Sequence, residues 1–288
     1  MRSFPLFALA LLLTFLSCVN QSGVPYDMRS WNRSFEPYRV IGNIYYVGST
    51  GVAQFLIVTS VGNILIDSGF EASVPRLREN IERLGFRYGD TKLLLTSHAH
   101  IDHVQGHALV RQQTGAQVVV STADATFVES GGKGEPVYDG VYSWPPCPVD
   151  RRVNDGDQIT LGETTLTAHL TPGHTMGATT WTMKVVDHDN HDKLLDVVFF
   201  PSANINPGVK LAGNTRYPKI ASDFAHSFKV WKSLPCDVFL ACHGDFYDMQ
   251  TKHAHLGATP NPFIDPQGYK TFIAEAEHRF HDQLASER

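Results

Sequence analysis

The run Leu93-Leu94-Leu95-Thr96-Ser97-His98-Ala99-His100-Ile101-Asp102-His103 sets three imidazoles and a carboxylate within six residues, at the end of an apolar stretch. Aliphatic residues followed by Thr and Ser read as a buried strand running out into a loop. His98 and His100, two positions apart, leave that strand on one side and can grip one ion. Asp102 and His103 begin whatever follows and can face a second ion beside the first. Imidazole nitrogen and carboxylate oxygen suit zinc and other divalent first-row metals. With 14 His in the chain some clustering by chance is expected, yet chance does not account for this spacing at a strand end.

The N-terminal residues speak to compartment. Residues 1 to about 17 carry one early positive charge, Arg2, then an apolar run from Phe4 to Leu16, then a small residue before Cys18. That pattern reads as a secretory signal peptide over residues 1–18. The run of 13 residues is short of the roughly 20 that span a bilayer. Leu16-Ser17-Cys18 also resembles the end of a bacterial lipobox, with Phe15 where Leu is usual. The expected location is the periplasm, free or held to the membrane by a lipid on Cys18. Residues 19–36 read as an N-terminal extension and 37–288 as one domain.

The remaining length, about 265 residues, is enough for a large core in one domain or two fused halves. A net charge of -5 argues against nucleic acid as a partner. Cys147, Cys236 and Cys242 are an odd set without C-x-x-C spacing, which indicates neither a zinc knuckle nor a disulfide framework. At most one disulfide is expected.

Two segments share one plan. Residues 61–69 read as a strand stopped by a turn. A helix follows, capped by Ser73, with Pro75 in its first turn, Val74, Leu77, Ile81 and Leu84 on one face, and Gly85 at its end. The strand leading to His98 comes next. In the second half Val197-Val198-Phe199-Phe200 reads as a strand, Ala221, Phe224, Phe228, Trp231 and Leu234 mark a helix, and a second buried strand delivers His243. Two such β-α-β units face to face predict an α/β fold of four layers, αββα, with ligands along one rim. Between them Leu166 to Leu170 alternates and turns at Pro172-Gly173, putting His174 just past a strand. Residues 131–148, rich in Gly and Pro, read as a long loop that either walls a site or packs on its own aromatics, Tyr138, Tyr142 and Trp144. Asp265 and Pro266 open a last helix whose Tyr269, Phe272, Ile273, Ala276, Phe280 and Leu284 share a face.

The ordered set H-x-H-x-D-H, His174 in Thr-Pro-Gly-His-Thr, and His243 after a buried strand resembles the metallo-beta-lactamase superfamily, over roughly Pro37 to Leu284. Residues 41–48 (Ile-Gly-Asn-Ile-Tyr-Tyr-Val-Gly), 166–175 (Leu-Thr-Ala-His-Leu-Thr-Pro-Gly-His-Thr), Thr179-Thr180-Trp181 and Asn206-Pro207-Gly208 look most like subclass B3. The resemblance implies two Zn2+ per chain, the first held by His98, His100 and His174 and the second by Asp102, His103 and His243. Where the B1 type offers a thiolate, this chain has Phe200-Pro201-Ser202. Glyoxalase II, ribonuclease Z and the lactonases place a bridging Asp there, and no carboxylate lies between Asp196 and Asp223. Ser202, with Asn204 and Asn206 on the same loop, is implied to bind the substrate carboxylate, although the two Asn also suit a turn before Pro207-Gly208. His107 and His169 fall outside the motif and read as packing or supporting residues. Asp67 reads as a buttress of the ligand loop. Gln105, Cys147 and Cys242 depart from the pattern, and the disulfide that would tie Cys236 to the last helix lacks a partner near Gly268.

The activity implied is hydrolysis of the beta-lactam amide of antibiotics, carbapenems included, and so antibiotic resistance, by a hydroxide shared between ions about 3.5–4 Å apart. Asp102 is implied as the catalytic carboxylate, ligating the second metal and passing a proton. A small-molecule substrate and a monomer are expected. The competing readings are a hydrolase of another lactone, ester or thioester on the same fold, and a non-catalytic zinc-binding protein. Substrate preference would depend on loops 131–148 and 203–213.

Overall fold

The computed structural model describes residues 24–288. The expected signal peptide and Cys18 lie outside the described residues. Runs rich in Val, Ile, Leu and Phe form β1 (Tyr38–Ile41), β2 (Ile44–Tyr46), β3 (Phe55–Thr59) and β4 (Gly62–Ile66), then α1 (Val74–Arg83) and β5 (Thr91–Leu95). Helices α2 (Ile101–Val104) and α3 (His107–Thr114) lead to β6 (Gln117–Ser121), α4 (Thr122–Ser130) and β7 (Arg151–Val153). The remainder is β8 (Gln158–Leu161), β9 (Thr164–Leu170), β10 (Thr179–Asp187), β11 (Lys193–Phe200), α5 (Ile220–Ser233), β12 (Val238–Ala241), α6 (Met249–Ala254) and α7 (Pro266–Ser286).

Strands β1 to β7 form one sheet in chain order, and β12-β11-β10-β9-β8 form the other. The expected repeat is present: α1 connects the parallel pair β4 and β5, and α5 connects the parallel pair β11 and β12. Alternating residues of each sheet face the other. Ile44, Ile57, Ile64 and Leu95 of the first pack in one apolar cluster with Leu166, Trp181 and Val197 of the second. Phe224, Phe228, Ile273 and Phe280 of α5 and α7 join that cluster, while Leu77, Ile81, Val110 and Ala125 of α1, α3 and α4 cover the opposite face of the first sheet. The order is helices, sheet, sheet, helices, the four-layer αββα arrangement expected.

Local differences have local causes. Ser73 precedes α1 but does not cap it. It sits at the end of a 3-10 turn, Glu71–Ser73, with helical angles, and its hydroxyl donates back to Phe70 O at 2.7 Å. Asp265 does cap α7, accepting from Gly268 N at 2.8 Å. A side chain on Gly268 would meet that carboxylate at 2.1 Å, so the position is fitted to the cap and not to a cysteine. Cys147, Cys236 and Cys242 are free thiols. Among the described residues no helix is long and apolar enough to cross a membrane.

Residues 24–36 pack on the domain, with Val24 and Met28 buried beside Val47 and Val52. Loop 131–148 has no helix or strand and does both things expected of it. Trp144 and Cys147 are buried in its own base, while Tyr138 reaches the ligand cluster.

Trp181 joins the two sheets beneath that cluster. It is fully buried, and its indole N–H donates to Thr96 O at 3.0 Å, just where the first sheet releases the ligand loop. Trp181→Ala is expected to cost about 3–5 kcal/mol of stability, measured by urea unfolding. A loss below about 1 kcal/mol would contradict this bridging role.

Candidate metal centre

Four of the six ligand-type residues singled out above stand in the turn after a strand, and the other two in the short helix that follows one of those turns. His98 and His100 follow β5, Asp102 and His103 lie in α2, His174 follows β9, and His243 follows β12. The Thr-Pro-Gly-His turn depends on Gly173, whose φ of +139° and 2.6 Å clearance from the Phe224 ring exclude a side chain. The donor atoms fall into two groups. His98, His100 and His174 form one, and Asp102, His103 and His243 form the other, each with donor atoms within 4.8 Å of one another.

The two groups share a rim. His98 and His103 rings, one from each, are 4.1 Å apart. His100 Nδ1 lies 3.1 Å from His174 Nε2. His103 Nε2 lies 3.3 Å from His243 Nε2 and 3.2 Å from Asp102 Oδ2. Nitrogens each about 2.0–2.1 Å from a tetrahedral ion would lie roughly 3.3 Å apart. His98 Nε2 is buried without a hydrogen-bond partner, as a nitrogen aimed at a cation would be. The residues present therefore fit a pair of divalent ions.

What fixes these nitrogens is a set of hydrogen bonds behind them. Asp67, at φ +60°, accepts from Ser97 N at 2.8 Å, from Ser97 Oγ at 2.6 Å and from His103 Nδ1 at 3.0 Å. Ser97 has spent its proton there, so His98 Nδ1–H donates to Ser97 Oγ at 3.1 Å. His174 Nδ1 donates to Asn204 O at 2.7 Å, and His243 Nδ1 to Gly51 O at 3.2 Å. In each of these four rings Nε2 is left for the rim.

Asp67 thus buttresses the ligand loop as expected. His107 is buried between Ser68 and Thr96 at 2.7 and 2.8 Å and supports the same loop. His169 bonds Thr182 at 2.9 Å and stands outside both donor groups. Ser202 is buried in the loop just after β11, where its Oγ accepts from Asn204 N at 3.1 Å. The Asn204 side chain is exposed, while Asn206 O accepts from Val209 N at 3.0 Å in the turn before Pro207-Gly208. Cys242 points under the cluster, within 4.8 Å of His98 and His103 nitrogens, with its thiol donating to Pro201 O.

Sequence reasoning missed Asp124, Glu135, Trp31 and the Gly51 carbonyl behind His243. Asp124 accepts from Ala99 N, Thr175 Oγ1 and Gly177 N at 2.9, 2.7 and 2.7 Å, tying the His98 loop to the His174 loop. Glu135 is buried with Oε1 at 3.6 Å from His100 Nε2. Trp31 sets its ring edge-on to His243 at 5.3 Å, and its carbonyl accepts from Gly51 N at 2.9 Å. A carboxylate far along the chain carries no local signal of this kind. The small residues around Asp124 and the Gly-Gly before Glu135 were the nearest hints.

Burial and mutual repulsion hold His98 and His174 well below the ordinary value of 6.5. Burial, then the charge on His103, lowers His243 to about 4, and burial lowers His107 to about 4. Burial opposes charge on His103 too, but the Asp102 and Asp67 carboxylates override it and raise the ring to about 10. Burial likewise pushes Asp102 up, and His103 with its neighbours overcomes this and holds the carboxyl well below its usual range. The lowered rings stay neutral in the folded chain while an unfolded chain protonates near 6.5, so stability is lost as pH falls from about 6.5 towards 4. His103 acts oppositely: its stabilisation is complete below about 6.5 and is lost as pH rises through about 10. Melting with chelator present is expected to show a midpoint that drops between pH 6.5 and 4.5. A flat profile there would contradict the neutral cluster.

The sequence profile of the family described as Metallo-beta-lactamase superfamily matches residues 47–186. Among solved structures, the native FEZ-1 metallo-beta-lactamase from Legionella gormanii is 45% identical with a TM-score of 0.86, over 89% of this chain and 98% of that one. BJP-1, a subclass B3 metallo-beta-lactamase of Bradyrhizobium japonicum, is 40% identical with a TM-score of 0.84, over 90% of this chain and 97% of that one. An uncharacterized protein of Mycobacterium tuberculosis is 29% identical over 141 residues, 47% of this chain, and the chain spans only 59% of that relative's length. With near-complete coverage at this identity, and a donor set that forms as the motif requires, the chain belongs to the metallo-beta-lactamase superfamily, among its subclass B3 members.

Proposed function

We propose that this chain hydrolyses the beta-lactam amide bond, carbapenems included, as a monomeric periplasmic enzyme with two Zn2+ per chain, and so confers antibiotic resistance. The observation that carries this reading is the pair of three-donor groups sharing one rim. Three protein donors per ion leave coordination positions open for water and substrate, whereas structural zinc is closed by four. The likeness to FEZ-1 and BJP-1 supports a beta-lactam as substrate. So does the lack of any carboxylate from Val197 to Ser222, where lactone and thioester hydrolases of this fold carry a bridging Asp. The signal-like residues 1–18 support the periplasm.

Bound divalent ions supply a nucleophilic water at neutral pH and an electrophile for the carbonyl oxygen. The chain's own groups do the rest. Asp102, kept ionised by the surrounding imidazoles, can orient that water, accept its proton and return it to the departing nitrogen. His98, His100 and His174 would hold the first ion, and Asp102, His103 and His243 the second. The loop from Ser202 to Asn206, fixed to the cluster through Asn204 O and His174, presents amide groups to the substrate carboxylate. Tyr138 packs against His100 and Trp31 against His243, one aromatic beside each donor group.

Turnover of a chromogenic cephalosporin and a carbapenem by the mature protein is expected to vanish with chelator and return with zinc. Metal-loaded protein that leaves both intact would instead direct attention to lactones and thioesters. Asp102→Asn should lower kcat by about 10²- to 10⁴-fold while retaining first-site metal; near-normal kinetics would remove Asp102 from the proton path.

A further inference from the structure

The five imidazoles of the rim differ in one respect. His98, His103, His174 and His243 are each held from behind through Nδ1, leaving Nε2 for metal. His100 is reversed, with Nδ1 facing His174 Nε2 at 3.1 Å and Nε2 facing outward. Behind that Nε2, at 3.6 Å, is Oε1 of Glu135. Both atoms are buried and neither has another hydrogen-bond partner. Two complementary groups left unsatisfied side by side, in a site shielded from water, would each carry a desolvation cost that a contact between them removes.

We propose that Glu135 is a positioning residue for the first metal site, holding the proton on His100 Nε2 so that Nδ1 presents its lone pair to the ion. This deepens the di-metal reading above and rests on it. The neighbouring contacts are arranged to aim the carboxylate. Its other oxygen, Oε2, accepts from Val137 N at 2.9 Å and from Tyr138 N, which pins the side chain and turns Oε1 towards His100. The Tyr138 ring packs edge-on against His100 at 5.0 Å. Arg216 Nη2 donates to Glu135 O at 2.9 Å and so anchors the segment to the loop that follows β11. A carboxylate behind a ligating imidazole fixes its tautomer and raises its basicity, and such partners are worth about 10- to 100-fold in metal affinity. Loop 131–148 therefore contributes to metal binding as well as to the wall of the site.

Glu135→Gln separates this role from a purely structural one. Its single amide oxygen can still accept from Val137 N and Tyr138 N and keep the loop, but the NH2 then faces His100 Nε2–H, donor against donor. Zinc competition against a chromogenic chelator is expected to show the first site about 10- to 100-fold weaker in Glu135→Gln and in Glu135→Ala, with the second site unchanged. Wild-type zinc affinity in a folded Glu135→Gln would overturn the proposal while leaving the di-metal reading intact. A wild-type chain that binds no zinc would overturn both. If either variant fails to fold, the wild-type protein decides: ¹⁵N-histidine spectra of the zinc-loaded chain should show His100 with its proton on Nε2, in a downfield, slowly exchanging resonance. Metal on His100 Nε2 would overturn the assignment.

Discussion

The buried carboxylate of Asp67 is the contact on which the rest of the site depends. It sits at the end of β4, in a left-handed turn, and takes three donors from the loop that leaves β5. One of those donors is His103 itself. Another, Ser97, passes the constraint to His98 through its own oxygen. A ligand from each donor group is thus held by one residue. Burying a carboxylate is costly unless it is fully bonded, and here the same bonds that satisfy the charge aim the imidazoles.

The sheets explain why the ligands meet at all. β4 and β5 run parallel, as do β11 and β12, so both sheets present carboxyl ends at the same rim. Segments of the two sheets are further joined at that rim by main-chain bonds, Ala53 N to Cys242 O and Thr179 N to Ser97 O, both at 2.8 Å, among them. Trp181 and Thr96 clamp the layers just below. Each donor group draws residues from both sheets, so the packing between the sheets brings the members of each group together.

Around the rim, segments remote in sequence complete what the strands begin. Asp124 fastens the His98 and His174 loops together, Asn204 and Gly51 orient His174 and His243 from behind, and loop 131–148 brings Glu135 and Tyr138 to His100. Four of the five imidazoles have Nδ1 bonded from behind, and preorganisation of this kind lowers the entropic cost of gathering the ligands round an ion.

Much of this was legible in the chain alone. Apolar runs ending in His or Asp, the H-x-H-x-D-H spacing and the repeated strand-helix-strand order indicated the layers and set His98 and His100 apart from Asp102 and His103, because these depend on local periodicity and on the rule that parallel strands need a crossover. The grouping of His174 with the first pair and His243 with the second came from the resemblance to the metallo-beta-lactamase superfamily. Asp67 was legible too, through the Leu65-Ile66-Asp67-Ser68-Gly69 turn that the chain shares with the superfamily. The tertiary structure alone decided which nitrogen of each imidazole faces inward, that Ser73 bonds backwards instead of capping α1, and that Glu135, Asp124, Gly51 and Trp31 converge on the site. Those contacts join residues tens of positions apart, and a carboxylate or carbonyl becomes a ligand's partner only through the packing that brings it there. No local pattern encodes that distance.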